Sequence, residues 1–221
     1  EGAAGLSTGL IYAPGCFADT RELIELAGVA GSKGGYYASH IRNEADRIIT
    51  ALEEVIRIGR EAQIPVHVSH LKIAGKKNWE LRQTVVEKLT AARAEGIDIT
   101  CDVYPYFHSS TTILALLPPW SLEGGMASLL PRLKSPRQRE RIVGGIKDGI
   151  PGWENMVLHT GLDKIVVSSV QSSQHQSLVG RSIAQIATAA QQDPIQVLLD
   201  LVESDNGAVA IITESMNEEN M

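Results

Sequence analysis

Tyr36-Tyr37-Ala38-Ser39-His40-Ile41-Arg42 and Ile64-Pro65-Val66-His67-Val68-Ser69-His70-Leu71-Lys72 are two versions of one local pattern. Each is a short strand-like run closed by Ser-His, an apolar residue and a cation, and each is followed by helical sequence. Histidines at equivalent ends of successive strand–helix units can converge on one point above a parallel barrel, where a catalytic metal is often held. Either histidine alone would read as an ordinary loop residue; the repeated context singles out the pair.

Working outward, strand-like runs recur at residues 6–12, 36–40, 64–70 and 97–104, a spacing of about 30 residues that fits βαβ units. Between them lie apolar stripes at helical spacing. The clearest carries Ala45, Ile48, Ile49, Leu52, Val55, Ile56 and Gly59; a second carries Leu81, Val85, Leu89 and Ala92; a shorter one carries Leu23, Ile24, Leu26 and Ala27. Breaks fall at residues 31–35, at Ile64-Pro65 and at Gly96. The expected fold class is α/β, part of a TIM-type (β/α)8 barrel with a parallel sheet. A doubly wound sheet gives the same local signal, but no Gly-x-Gly-x-x-Gly follows the first strand.

After Tyr106 the rhythm breaks. Leu116-Leu117-Pro118-Pro119-Trp120 and Gly124-Gly125 read as loop, and Ser135-Pro136 starts a helix reaching about residue 142. Residues 107–160 are expected to be an insertion at the mouth of a single barrel piece covering 1–221. Further strands are expected at 164–168 and 208–213, with helices at 180–190 and after Asp193-Pro194. The chain opens at Glu1, not at Met, and ends in a polar run at Met221. Both ends are expected to be cuts through a longer protein, which leaves the barrel incomplete at both ends.

The chain has 221 residues, 43% hydrophobic and 21% charged, with a net charge of -6. This balance argues against nucleic acid or an anionic membrane as partner. The basic cluster Arg132, Lys134, Arg137, Arg139 and Arg141 reads as a solvated helix face. No apolar run approaches the roughly 20 residues needed to cross a bilayer. Cys16 and Cys101, the two cysteines, suggest a reducing, cytoplasmic setting and buried, inert thiols.

Polar residues at the expected strand ends are Tyr12, His40 with Arg42, His70 with Lys72, and Asp102 with Tyr104. Zinc is the usual metal for histidine ligands with Asp or Cys. It lowers the pKa of its water from about 15.7 towards about 7 and polarises a carbonyl. Two histidines fall short of the usual three protein ligands. His67 reads as a core or helix-facing residue, His108 as a loop residue at the mouth, and His159 and His175 as solvated. Asp102 reads equally as a mouth carboxylate or a hydrogen-bonded structural one. Lys72 suits a substrate carboxylate. Arg42 with Glu44 reads as a local ion pair at a helix start. Tyr12 is either a hydrogen-bond donor to a carboxylate or a packed phenol. There is no Gly-x-Ser-x-Gly elbow and no phosphate loop.

Four linked stretches carry a family resemblance. They are Gly5-Leu6-Ser7-Thr8-Gly9-Leu10-Ile11-Tyr12-Ala13-Pro14-Gly15, Gly34-Gly35-Tyr36-Tyr37-Ala38-Ser39-His40-Ile41-Arg42-Asn43-Glu44, Val68-Ser69-His70-Leu71-Lys72 and Asp102-Val103-Tyr104-Pro105-Tyr106. In order and spacing the chain resembles the N-acyl-D-amino-acid deacylases (D-aminoacylases) of the amidohydrolase superfamily. The resemblance implies zinc-assisted hydrolysis of a small-molecule N-acyl-D-amino acid to a D-amino acid and a carboxylate. His40 and His70 match the family's two zinc-binding histidines. Tyr12 and Lys72 match residues that hold the substrate carboxylate, and Tyr104 and Ser110 match the side-chain pocket. The family's His-x-His pair, metal-binding cysteine, catalytic aspartate and substrate-binding arginine have no match here. The general base is therefore expected outside this stretch, and the stretch alone is expected to be nearly inactive. Two other readings are a cyclic-amide hydrolase of the dihydroorotase or hydantoinase kind and a non-catalytic barrel remnant. The first normally needs a carboxylated bridging lysine, which no strand-end lysine here suits; the second predicts no metal.

Overall fold

A computed structural model describes residues 2–220. The chain divides into two compact units, one running to Pro105 and including the residues from Met216, the other Tyr106–Ser215.

The first unit follows the strand–helix alternation. Strand β1 (Gly5–Gly9), helix α1 (Thr20–Gly31), β2 (Tyr36–His40), α2 (Ile48–Ala62), β3 (Val66–Val68), α3 (Arg82–Ala94) and β4 (Ile99–Cys101) succeed one another. The four strands form one parallel sheet in the order β1-β2-β3-β4. β1 overlaps its expected run but starts one residue before it, β3 and β4 fall within theirs, and β2 has the expected bounds.

Side-chain alternation decides which face is buried. Tyr37, Ser39, Val66 and Val68 are buried, and α2 buries Ile48, Ala51, Leu52, Val55, Ile56, Ile58 and Gly59. A Cβ on Gly59 would sit 3.1 Å from both γ-methyls of Val66, so this glycine lets the helix approach the sheet closely. α1 is capped by Asp19, whose carboxylate accepts from the Glu22 amide. The turn into α2 is organised by Asn43, whose Oδ1 accepts from the amides of Ala45 and Arg47 at 2.9 Å each.

The second unit departs from parallel topology. It contains β5 (His108–Thr112), α4 (Met126–Lys134), α5 (Pro136–Asp148), α6 (Met156–Thr160), β6 (Ile165–Ser169), α7 (Ile183–Ala190), α8 (Pro194–Ser204) and β7 (Ala210–Glu214). Its strands form an antiparallel sheet in the order β5-β7-β6. The strands expected at 164–168 and 208–213 are present, but pair antiparallel. The helix after Pro136 extends to Asp148, and Ser135 makes no side-chain cap. Leu116, Leu129, Ile142, Val167, Leu198, Val202 and Ile211 belong to this unit's core.

Three surface readings are corrected. Arg139 is mostly covered and binds Gln196, Asp200 and Glu203, while the Arg141 guanidinium stacks 3.9 Å from the Trp120 ring centroid. The basic cluster is thus partly packed against α8 and the 119–122 turn. His175 is not merely solvated: its Nδ1 lies 3.0 Å from Asp205, whose other oxygen accepts from the Ser172 amide. Cys101 is exposed, not buried. Its thiol pKa is raised by partial burial and by the neighbouring Asp102 charge. Among the described residues no helix is long and apolar enough to cross a membrane.

Candidate metal centre

His40 is the last residue of β2, and its carbonyl accepts from the Leu10 amide at 2.9 Å. Beyond β3 the Ser69 amide binds the Ser39 carbonyl at 3.0 Å, which carries the next turn alongside the end of β2. His70 then takes a left-handed conformation, φ 41. This conformation is disfavoured for a residue with a Cβ. Two bonds to the end of β4 hold it there: the Asp102 carboxylate accepts from the His70 amide, and the Asp102 carbonyl from the Leu71 amide, each at 2.8 Å.

The result is a short contact. His40 Nδ1 and His70 Nε2 lie 3.1 Å apart, with ring centroids separated by 4.6 Å. Two nitrogens bound tetrahedrally to one zinc at about 2.0–2.1 Å stand about 3.4 Å apart. Burial lowers the His40 pKa to about 4, with the His70 and Lys72 charges acting in the same direction against Glu44. His40 is therefore neutral at pH 7 with a lone pair to offer. Its Nε2 is buried and has no hydrogen-bond partner. His40, His70 and Glu44 form a group with one ligand atom each within 4.8 Å of the others. Two imidazoles, a carboxylate and an orphaned buried nitrogen fit a divalent metal.

Glu44 is the residue that sequence reasoning misassigned. Arg42 does not pair with it. Instead, Arg42 turns to Glu54 of α2, binding both carboxylate oxygens at 2.9 Å, and also donates to the carbonyls of Cys16 and Ala18. Glu44 turns the other way. The Asn43-organised turn buries it, and its carbonyl accepts from the Ala74 amide at 2.8 Å. Its Oε1 lies 2.6 Å from Lys72 Nζ and 3.1 Å from His70 Nδ1. Burial works to raise its pKa, but the charges and hydrogen bonds of His40, His70 and Lys72 outweigh that and hold it ionised. The one signal in the sequence was its four-residue spacing from His40.

The expected residues Tyr12, Lys72 and Tyr104 lie around the pair. The Tyr12 ring centroid is 5.2 Å from that of His40, and Tyr104 is 6.4 Å from His70. Lys72 is buried, 5.4 Å from the Tyr104 ring centroid. Ser110 is not in this unit: it sits on β5, exposed, opposite Ile212. His108 is also on β5 rather than in a loop. His67 is neither core nor helix-facing. Val66 and Val68 take the buried face, and His67 sits opposite, between Thr100 and Asp102 at 2.8 Å each. The strand ends at Val68, so strand alternation does not relate His67 to His70 across the turn. Asp102 is the hydrogen-bonded structural carboxylate; its pKa is lowered first by the His70 amide bond.

Arg42 gives a first prediction. Arg42→Ala is expected to destabilise the chain by about 2–4 kcal/mol, because it leaves the mostly buried Glu54 short of its ion-pair partner and two carbonyls without donors. Amide exchange at residues 12–18 should accelerate more than that of α3. Unchanged exchange in that loop would show that Arg42 does not pin it.

No family model matches the chain. The D-aminoacylase of Alcaligenes xylosoxydans xylosoxydans is 42% identical over 113 residues, which cover 51% of this chain and 23% of that protein. The N-acyl-D-aspartate deacylase of the same organism is 38% identical over 117 residues, again 23% of its length. Among solved structures, an N-acyl-D-glutamate deacylase from Bordetella bronchiseptica, complexed with zinc and a phosphonate inhibitor, superposes with a TM-score of 0.71 at 28% identity. That match covers 99% of this chain and 36% of the other. A crystal structure of D-aminoacylase, described as defining a novel subset of amidohydrolases, gives 0.68 at 28% identity over 98% of this chain and 35% of its own. The chain thus spans about a quarter of the curated relatives and about a third of the solved ones. In sequence over about half of its length, and in fold over nearly all of it, the chain is similar to N-acyl-D-amino-acid deacylases, and its fold matches a portion of their TIM-type amidohydrolase barrel.

Proposed function

We propose that the protein containing this chain is a cytoplasmic, zinc-dependent hydrolase of small N-acyl-D-amino acids, releasing a D-amino acid and a carboxylate. The observation that carries the reading is the pair of imidazole nitrogens 3.1 Å apart beside a buried, unpartnered His40 Nε2. In this reading His40 and His70 hold the metal. When bound, zinc polarises an amide carbonyl and makes its water more acidic.

The chain's other residues bind and orient. Tyr12 and Lys72 receive the substrate carboxylate, and Tyr104 contributes to the side-chain pocket. Lys72 offers three N–H donors, so pairing with Glu44 does not exhaust it. The general base lies outside residues 1–221. Relatives named for D-aminoacyl, D-glutamate and D-aspartate substrates support the substrate class.

Zinc content of the purified chain tests the metal. Stoichiometric zinc is expected, lost in His40→Ala and in His70→Ala. A folded wild-type chain that takes up no zinc would overturn the assignment and favour a non-catalytic barrel remnant. Preferential turnover of N-acetyl-D- over N-acetyl-L-amino acids by the longer protein tests the substrate class.

A further inference from the structure

Each histidine of the pair has an inner nitrogen facing the other ring and an outer nitrogen facing Glu44. His70 Nδ1 is 3.1 Å from Glu44 Oε1, and His40 Nε2 is 3.9 Å from Glu44 Oε2. Lys72 Nζ is 2.6 Å from Glu44 Oε1 and 2.8 Å from His70 Nδ1. An ammonium only donates, so Lys72 and Glu44 compete for opposite forms of the His70 ring. If Lys72 donates to Nδ1, the neutral ring carries its proton on Nε2 and cannot ligate through that atom. If Nδ1–H donates to Glu44, Nε2 is bare.

We infer that Glu44 is a positioning residue for the metal centre, whose carboxylate sets the tautomer of His70 and receives the outer N–H of His40 when both rings ligate. This rests on the reading of His40 and His70 as metal ligands and deepens it. The structure carries the inference at three points. Glu44 Oε1 lies within hydrogen-bonding distance of His70 Nδ1, at 3.1 Å. Its second oxygen lies 3.9 Å from His40 Nε2, a buried nitrogen without a hydrogen-bond partner. Both its charge and its backbone are anchored, by Lys72 and by the Ala74 amide.

The two nitrogens 3.1 Å apart must share one proton in the metal-free state, and His40 Nδ1–H donating to a bare His70 Nε2 satisfies both. That arrangement leaves His40 Nε2 a bare acceptor with no donor, the unsatisfied buried atom of the metal-free state. Ligation through Nδ1 then moves the His40 proton to Nε2, towards Glu44 Oε2. A carboxylate behind a metal-binding histidine fixes ring orientation and raises ligand basicity, and its removal commonly weakens metal binding about 10–100-fold.

The test uses the 221-residue chain with zinc alone as probe. Glu44→Gln leaves a buried ammonium without its counter-charge and is prone to misfold. The informative variant is therefore Glu44→Gln/Lys72→Met, which keeps volume and removes both charges. It is expected to bind zinc about 10–100-fold more weakly than wild type. Long-range 1H–15N spectra of the metal-free chain are expected to show His70 protonated at Nδ1 in wild type, and at Nε2 in any Glu44→Gln chain that retains Lys72 and folds. Undiminished zinc affinity in the folded double variant overturns the role of Glu44 and leaves the metal assignment standing. A loss as large as that of His40→Ala makes Glu44 a direct ligand and likewise overturns it. No zinc in wild type removes the metal assignment, and a wild-type His70 protonated at Nε2 independently removes the tautomer argument.

Discussion

Glu44→Ala is expected to lower stability by about 3–5 kcal/mol, because it strands the Lys72 ammonium in a buried site. Both side chains of the pair are nearly inaccessible, 4% for Lys72 and 5% for Glu44, and their charges approach to 2.6 Å. Two charges withdrawn from water gain little net stability together, but removing one leaves the other without compensation. Nothing nearby substitutes well. His70 Nδ1 can accept from the ammonium but brings no negative charge, and the Tyr104 ring lies 5.4 Å away. A loss of this size is a large fraction of the 5–15 kcal/mol that typically holds a domain together.

The sign of the effect separates charge from packing. Removing both charges in Glu44→Gln/Lys72→Met should restore most of the stability, since the volume is kept and no charge is buried alone. Denaturant midpoints of the wild type, Glu44→Ala, Lys72→Met and the double variant close the cycle. A double variant as unstable as Glu44→Ala would mean that the backbone turn at 43–47, not the ion pair, depends on Glu44.

The sequence carried the periodic parts of this structure well and the long-range polar choices poorly. Residues 36–40 alternate, end in Ser-His, and form a strand with those bounds; Ile48, Leu52, Val55, Ile56 and Gly59 repeat at helical spacing and face the sheet. Local periodicity suffices there because burial of one face sets the whole element. The partner of Arg42 was a different problem. Glu44 is two residues away and Glu54 twelve, and only the turn at Asn43 decides that the nearer carboxylate points elsewhere.

Sheet direction was equally hidden. Residues 165–169 and 210–214 read as strands from composition, but their antiparallel pairing depends on which strand is adjacent, and periodicity does not report that. The histidine pair was legible because its two copies share a context. The third member of the cluster was not, because no repeated motif marks it.

The second large effect concerns His70 itself, whose backbone conformation and side-chain role pull in opposite directions. His70→Ala and His70→Gly should both lose zinc by more than about 100-fold, since removing a ligand exceeds the 10–100-fold typical of a residue behind one. Their stabilities should differ in the reverse of the usual order. Glycine in ordinary strand or helix positions is about 0.5–1 kcal/mol less favourable than alanine. At φ 41 the Cβ is the penalty, of about 1–2 kcal/mol. His70→Gly should therefore be more stable than His70→Ala by about 1 kcal/mol, although both lack the imidazole and its contact with Glu44. Equal zinc loss with glycine the more stable would mean that the chain tolerates a strained residue in order to place an imidazole against His40. If alanine proved the more stable, the backbone at residue 70 would not be strained in solution, and the Asp102 bonds would have no strain to offset.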